Sequence, residues 1–157
     1  MRLKSTRKSS KPGGGGERGA ALVEFSIAAL VFLTSVFAVL EFGRLLWTHN
    51  ALTDAARRGA RYAVSHARAD AGNAQRMAVY GTTDPAAATP LVTGLTPDMV
   101  KVTHSGDFGV GEGTATVKID SYNFNFVVPL VGTKIPMPDY NSTLTAESAG
   151  KAPLDLP

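Results

Sequence analysis

One carboxylate, Glu24, stands near the start of a run of 21 residues, Ala20 to Leu40, that holds no other ionisable side chain. The remaining polar groups in that run are Ser26, Thr34 and Ser35. A charge in such surroundings is costly and calls for a compensating partner or for water at a polar boundary. The rest of the chain offers little else that could do chemistry. Gly109, Gly111 and Gly113 have phosphate-loop spacing, but T-A-T-V-K-I-D follows them, which is a strand pattern where a helix is needed. His49, His66 and His104 are 17 and 38 residues apart, so no pair has metal-ligand spacing. The acidic residues are scattered singly, which leaves no paired-carboxylate site. No G-x-S-x-G elbow is present, and the absence of cysteine excludes disulfides, thiolate zinc sites and cysteine nucleophiles. The sequence therefore predicts no enzyme, no cofactor, no metal and no small-molecule substrate. Asn141-Ser142-Thr143 is a formal glycosylation sequon of a pattern common by chance.

The elements that position Glu24 come next. As a helix, Ala20 to Leu40 would be ~31 Å long, which matches the ~30 Å hydrocarbon core of a bilayer. A single transmembrane helix is predicted. Residues 1–19 carry Arg2, Lys4, Arg7, Lys8, Lys11 and Arg18 against Glu17, a net +5, and residues 20–157 net to −2. The basic pI thus belongs to a polar leader that ends in four glycines, Gly13 to Gly16. A short basic segment before a span stays in the cytoplasm, so the C-terminal part lies outside. No comparable basic cluster follows, and nucleic acid is not an expected partner.

Proline is absent from Ala20 to about Ala71, and alanine and leucine are abundant, so one continuous helix is expected. Beyond Leu40 it carries Leu45, Leu52 and Gly59, and offset from them Thr48, Ala55 and Tyr62, at seven-residue spacing. That face either packs on the chain's own domain or forms a seam between subunits. Arg57, Arg58 and Arg61 form a solvated face with local pairs to Asp54, or a partner-binding face. Gly72-Asn73 is an expected break. Asn73 to Tyr80 suits a short helix, and Gly81 to Pro97 reads as a loop. Strand patterns follow at Met99 to Thr103 and at Thr114 to Ile119, which puts Ala115, Val117 and Ile119 on one face. Tyr122, Phe124 and Phe126 alternate on a second face, and Lys134 to Met137 and Ser142 to Ala146 could supply a last strand. The expected fold is α+β, with a long N-terminal transmembrane helix extending out of the membrane and packed on a small antiparallel sheet domain. Its parts are a cytoplasmic leader at 1–19, the span at 20–41, a helix extension at 42–72 and a mixed or antiparallel β domain at 73–157.

Three features meet at the start of the apolar run: the basic, glycine-ended leader; Gly19 at the junction; and Glu24 followed by Phe25. This resembles prepilins cut at a glycine, in which the fifth mature residue is glutamate and, in the Tad (Flp) type, an aromatic comes sixth. Glu41-Phe42-Gly43-Arg44 and the stretch Ala55-Ala56-Arg57-Arg58-Gly59-Ala60-Arg61-Tyr62-Ala63 resemble TadE-like (TadE/TadF/TadG) pilin-like proteins. The loop from Gly72 to Pro97 matches nothing in that pattern, and the strand region, including Pro129, fits it loosely.

The resemblance implies cutting between Gly19 and Ala20 by a membrane-embedded prepilin peptidase. It also implies a register role for Glu24 and Phe25, and a partner-binding helix carrying Glu41, Arg44, Arg57, Arg58, Gly59, Arg61 and Tyr62. The expected partners are the lipid bilayer, the peptidase and other pilin-like subunits. The expected location is the bacterial inner membrane, crossed once with the N-terminus in the cytoplasm and the C-terminal domain outside, and the protein either stays there or joins the pilus. A glycine at the cut lets the chain leave the helix in extended form. The cut creates an amine on Ala20, one turn from Glu24, and the pair would offset part of the cost of the buried charge. Two alternatives remain open. Val36-Phe37-Ala38 fits an ordinary secretory cleavage that releases a domain starting near Val39. An uncut anchor would make the chain a membrane-tethered binding module outside the cell membrane.

Overall fold

The computed structural model describes residues 15–84, 89–106, 113–127 and 134–146. Leader residues 1–14, Gly109, Gly111 and Pro129 lie outside them. Residues 1–40 and 41–157 form two compact units. The architecture is α+β: helix α1 spans Gly15–Ser65, helix α2 spans Ala71–Tyr80, and five short strands follow. Strand β1 is Val100–Ser105, β2 is Thr114–Ile119, β3 is Asn123–Asn125, β4 is Lys134–Pro136 and β5 is Tyr140–Thr145.

In the first unit the apolar side chains of α1 are exposed from Leu22 to Leu40, and this helix is long and apolar enough to cross a membrane. Its two serine hydroxyls are satisfied internally: Ser26 donates to the Leu22 carbonyl at 2.7 Å and Ser35 to the Val31 carbonyl at 2.8 Å. Such i−4 bonds let a polar side chain enter an apolar medium without an unmet donor. The helix begins at Gly15 rather than at Ala20, so its first turn lies within the expected leader.

Helix α1 also ends earlier than expected. Ser65 Oγ donates to the Arg61 and Tyr62 carbonyls at 3.0 and 3.1 Å, and His66 Nδ1 lies 2.9 Å from the Tyr62 carbonyl. These side chains meet the carbonyls that a helix end leaves unpaired. Ala67 is extended and a 3-10 turn, Arg68–Asp70, leads into α2. Gly72 and Asn73 therefore sit inside α2 and are no break. The stop is Gly81, left-handed at φ 73°, whose N–H bonds the Met77 carbonyl at 3.1 Å. The expected extension over 42–72 is thus two elements.

The strands also divide differently. β1, β2 and β5 form an antiparallel sheet with β2 in the middle, whereas β3 and β4 pair separately. Register places Val102 opposite Val117 and Ile119 opposite Tyr140. Ala115, Val117 and Ile119 all face the core with no exposure, as their alternation predicts. Lys101 and Asp120 pair at 2.6 Å across the sheet, and the lysine's hydrogen bond holds the Asp120 carboxyl below its usual range. Lys118 pairs with Asp139 at 2.7 Å, and that hydrogen bond raises the lysine. Lys101, Lys118 and Asp139 reach solvent, and such surface pairs contribute little to stability.

The core brings Leu52, Ala55, Ala56, Ala60, Ala63 and Val64 of α1 against Ala74, Ala78 and Val79 of α2 and the inner face of β2. Small residues let the backbones approach closely. A Cβ on Gly59 would lie 3.1 Å from Ala78 Cβ, 3.2 Å from Val117 Cγ1 and 3.3 Å from the Ala74 carbonyl oxygen. Val92 and Leu95, from the segment expected to be only a loop, are buried in the same core.

Candidate functional site

The junction residues lie on the exposed surface of α1. Gly19, Ala20, Val23, Glu24, Ile27 and Ala28 share one shallow side of the helix, as their three- and four-residue spacings require. Glu24 is four residues, about 6 Å of rise, beyond Ala20. Phe25 is exposed beside it. A Cβ on Gly19 would meet no atom within 4 Å. Nothing in the folded chain therefore demands glycine there, although glycine costs a helix about 1 kcal/mol relative to alanine. Its usefulness must come from something other than packing within this chain.

The residues expected on a partner-binding helix do not form one face. Glu41 is 4% exposed and points into the outer unit. Its Oε1 accepts the Val127 N–H at 2.8 Å and its Oε2 meets the Arg44 guanidinium at 2.5 Å. Arg44 also lies 5.3 Å over the Phe124 ring, which stands edge-on to Phe126. Gly59 is the buried close-approach point described above. Arg58 is half-buried, with one Nη 3.5 Å from the Ala78 carbonyl. Its Nε is enclosed with no hydrogen-bond partner. Tyr62 is half-buried and stacks on His66, ring centroids 3.8 Å apart. Arg44, Arg57 and Arg61 are exposed to solvent, and Arg57 pairs loosely with Asp54 at 3.7 Å. Two residues expected on the partner-binding helix, Glu41 and Gly59, serve the protein's own interior.

The seven-residue seam also turns inward. Thr48, Leu52 and Ala55 are buried, and Leu45 and Tyr62 pack against the core. The seam meets its own sheet and α2, which is the first of the two alternatives. Glu41, Leu45, Thr48 and Leu52 follow one another at spacings of four, three and four. That continuation of the apolar stripe was the available sign that Glu41 turns inward.

Each histidine has a local role. His49 Nδ1 lies 2.9 Å from Tyr140 Oη, tying α1 to β5. His104 Nε2 lies 3.4 Å from the Ala63 carbonyl. Tyr122 donates to the Thr93 carbonyl at 2.8 Å, and burial pushes its phenol up. Among the described residues no group of three histidine, aspartate or glutamate side chains could hold a metal ion.

Residues 19–61 match the family model described as TadE-like protein. No curated protein and no solved structure matches the chain. The matched segment begins at Gly19 and runs through the apolar helix to Arg61, so it holds every junction residue and most of the α1 portion of the outer core.

Proposed function

We propose that this chain, TadE-like over residues 19–61, is a minor pilin-like subunit of a bacterial Tad/Flp pilus system. It inserts through the apolar part of α1 with its N-terminus in the cytoplasm. A prepilin peptidase cuts it after Gly19, and the mature protein takes part in pilus assembly, adhesion or secretion. The observation that carries this reading is Gly19 itself. It is a glycine in a helix with no steric need for one, immediately before Ala20 and one turn before a lone carboxylate. A small residue is what a protease cleft that unwinds the chain requires.

Cutting supplies a positive group for Glu24. The new Ala20 amine belongs to the same subunit or to a staggered neighbour, and either pairing offsets the burial of the carboxylate. The 138 residues that remain carry a second helix and five strands beyond the span, which suits a minor component better than a small, mostly helical major pilin.

The test is the N-terminus of the product. The protein is produced with and without a prepilin peptidase and its mass determined. The expected product starts at Ala20 only when the peptidase is present, and Gly19→Leu stays uncut. A chain intact in both cases points to an uncut, membrane-anchored binding module. A start near Val39 points to secretory cleavage, and either result sinks the proposal. Glu24→Ala should insert and be cut normally but enter the assembly less well. Unchanged pilus assembly in that variant would show that the carboxylate has no register role.

A further inference from the structure

We infer that the start of the outer unit is a lipid-contacting surface: Phe42, Leu46 and Trp47 of α1, with Val127, lie in the interfacial layer of the bilayer. All four are exposed, at 60, 47, 61 and 73% respectively. The hydrogen bond from the Val127 N–H to Glu41 holds that residue beside the first turn of the unit. The opposite side of the same stretch of helix is already occupied. Glu41 and Thr48 are buried and Leu45 packs on the core. Among the described residues the domain therefore covers the Glu41 side of residues 41–48 and leaves Phe42, Leu46 and Trp47 largely exposed, with Trp47 bordering Leu91 and Val92.

Lipid is the occupant because the surface continues one already apolar. Phe42 and Trp47 follow Leu40 by two and seven residues on an unbroken helix, about 3 and 10 Å along its axis. The hydrocarbon core is filled by the preceding ~31 Å of helix, and the polar layer adds about 5–8 Å on each side. Helical side chains lean back toward the N-terminus, which here is the bilayer side, so the Trp47 ring reaches down into that layer. Tryptophan and phenylalanine suit it, since an aromatic body sits among acyl chains while an indole N–H meets water or a headgroup. The one cation within the stretch, Arg44, does not interrupt the surface. Its guanidinium is turned onto Glu41 and the Phe124 ring.

This inference rests on the membrane anchoring proposed above, and the experiment separates the two. Trp47 is the sole tryptophan, so its fluorescence reports one position without mutation. The full-length protein is reconstituted into phosphatidylcholine vesicles, with and without bromine atoms on the upper acyl chain, and iodide is added outside. Flotation of protein with the vesicles tests the anchor. The expected result is loss of most Trp47 emission with brominated lipid and little loss with iodide. The Phe42→Ser/Leu46→Ser double variant should move the quenching from lipid toward iodide. Floated protein quenched by iodide alone overturns the inference and leaves the anchor standing. Floated protein quenched by neither also overturns it, because a second copy or another protein then covers Trp47. Failure to float overturns both.

Discussion

Replacing Leu52 with alanine lowers the unfolding free energy of the outer unit by about 2–5 kcal/mol. Leu52 is wholly buried and is among the largest of the side chains with no exposure. Its α1 neighbours in the core, Ala55, Ala56 and Ala60, are already as small as a side chain can be, so they cannot grow into the space. The strand opposite is held by hydrogen bonds on both sides, to β1 and to β5, and cannot collapse inward without breaking register. Both features favour a cavity that persists, which places the cost in the upper part of that range. Pulse proteolysis in urea, on the full-length protein in lipid nanodiscs, measures the change. Arg57→Ala, on the solvated side of the same helix, should stay within about 0.5 kcal/mol of the parent. Equal losses in the two variants would mean that α1 does not pack on the sheet through the Leu52 face.

Replacing Glu41 with alanine should loosen one place rather than unfold the unit. The carboxylate accepts the Val127 N–H and faces the Arg44 guanidinium, and a hydrogen bond to a charged group contributes about 1.5–3 kcal/mol. Arg44 is half-exposed and can turn to water, so the ion pair adds little beyond that. The expected readout is amide hydrogen exchange at Val127, faster by about ten- to a hundredfold. Exchange in β2, at the centre of the other sheet, should be unaffected. Glu41→Gln keeps an acceptor oxygen of the same reach and should fall between the two. An unchanged Val127 amide in the alanine variant would rule out Glu41 as the group that holds it. Because Val127 belongs to the surface inferred to meet lipid, the same variant should also weaken quenching of that surface's tryptophan by lipid-borne bromine.

Much of this molecule is visible in one dimension wherever a single period decides the outcome. The apolar run from Ala20 to Leu40 is legible because nothing in it competes with helix formation. Ala115, Val117 and Ile119 are legible as an inner face because a strand alternates its side chains by geometry. The junction Gly19-Ala20 with Glu24 is legible as a pattern of types at fixed spacing. The end of α1 was not legible in the same way. Gly72-Asn73 looked like a stop, yet Ser65 and His66 close the helix through side-chain bonds to carbonyls, and Gly81 supplies the left-handed residue. Val92 and Leu95 carry no periodicity of their own, so their place in the core could not be read from a segment rich in turn residues.

The sequence by itself therefore determined the apolar helix, its chemical junction and the strand faces, because each is set by contacts between residues near one another in the chain. The tertiary structure alone decided what the seven-residue seam is for. Small residues at that spacing suit a neighbour's helix as well as the protein's own, and only the approach of Ala74, Ala78 and Val117 to Gly59 selects the second. It alone decided that Glu41 belongs to the interior as well. A carboxylate near a membrane boundary is ordinarily solvated, and its burial depends on a backbone N–H that arrives from 86 residues further along the chain.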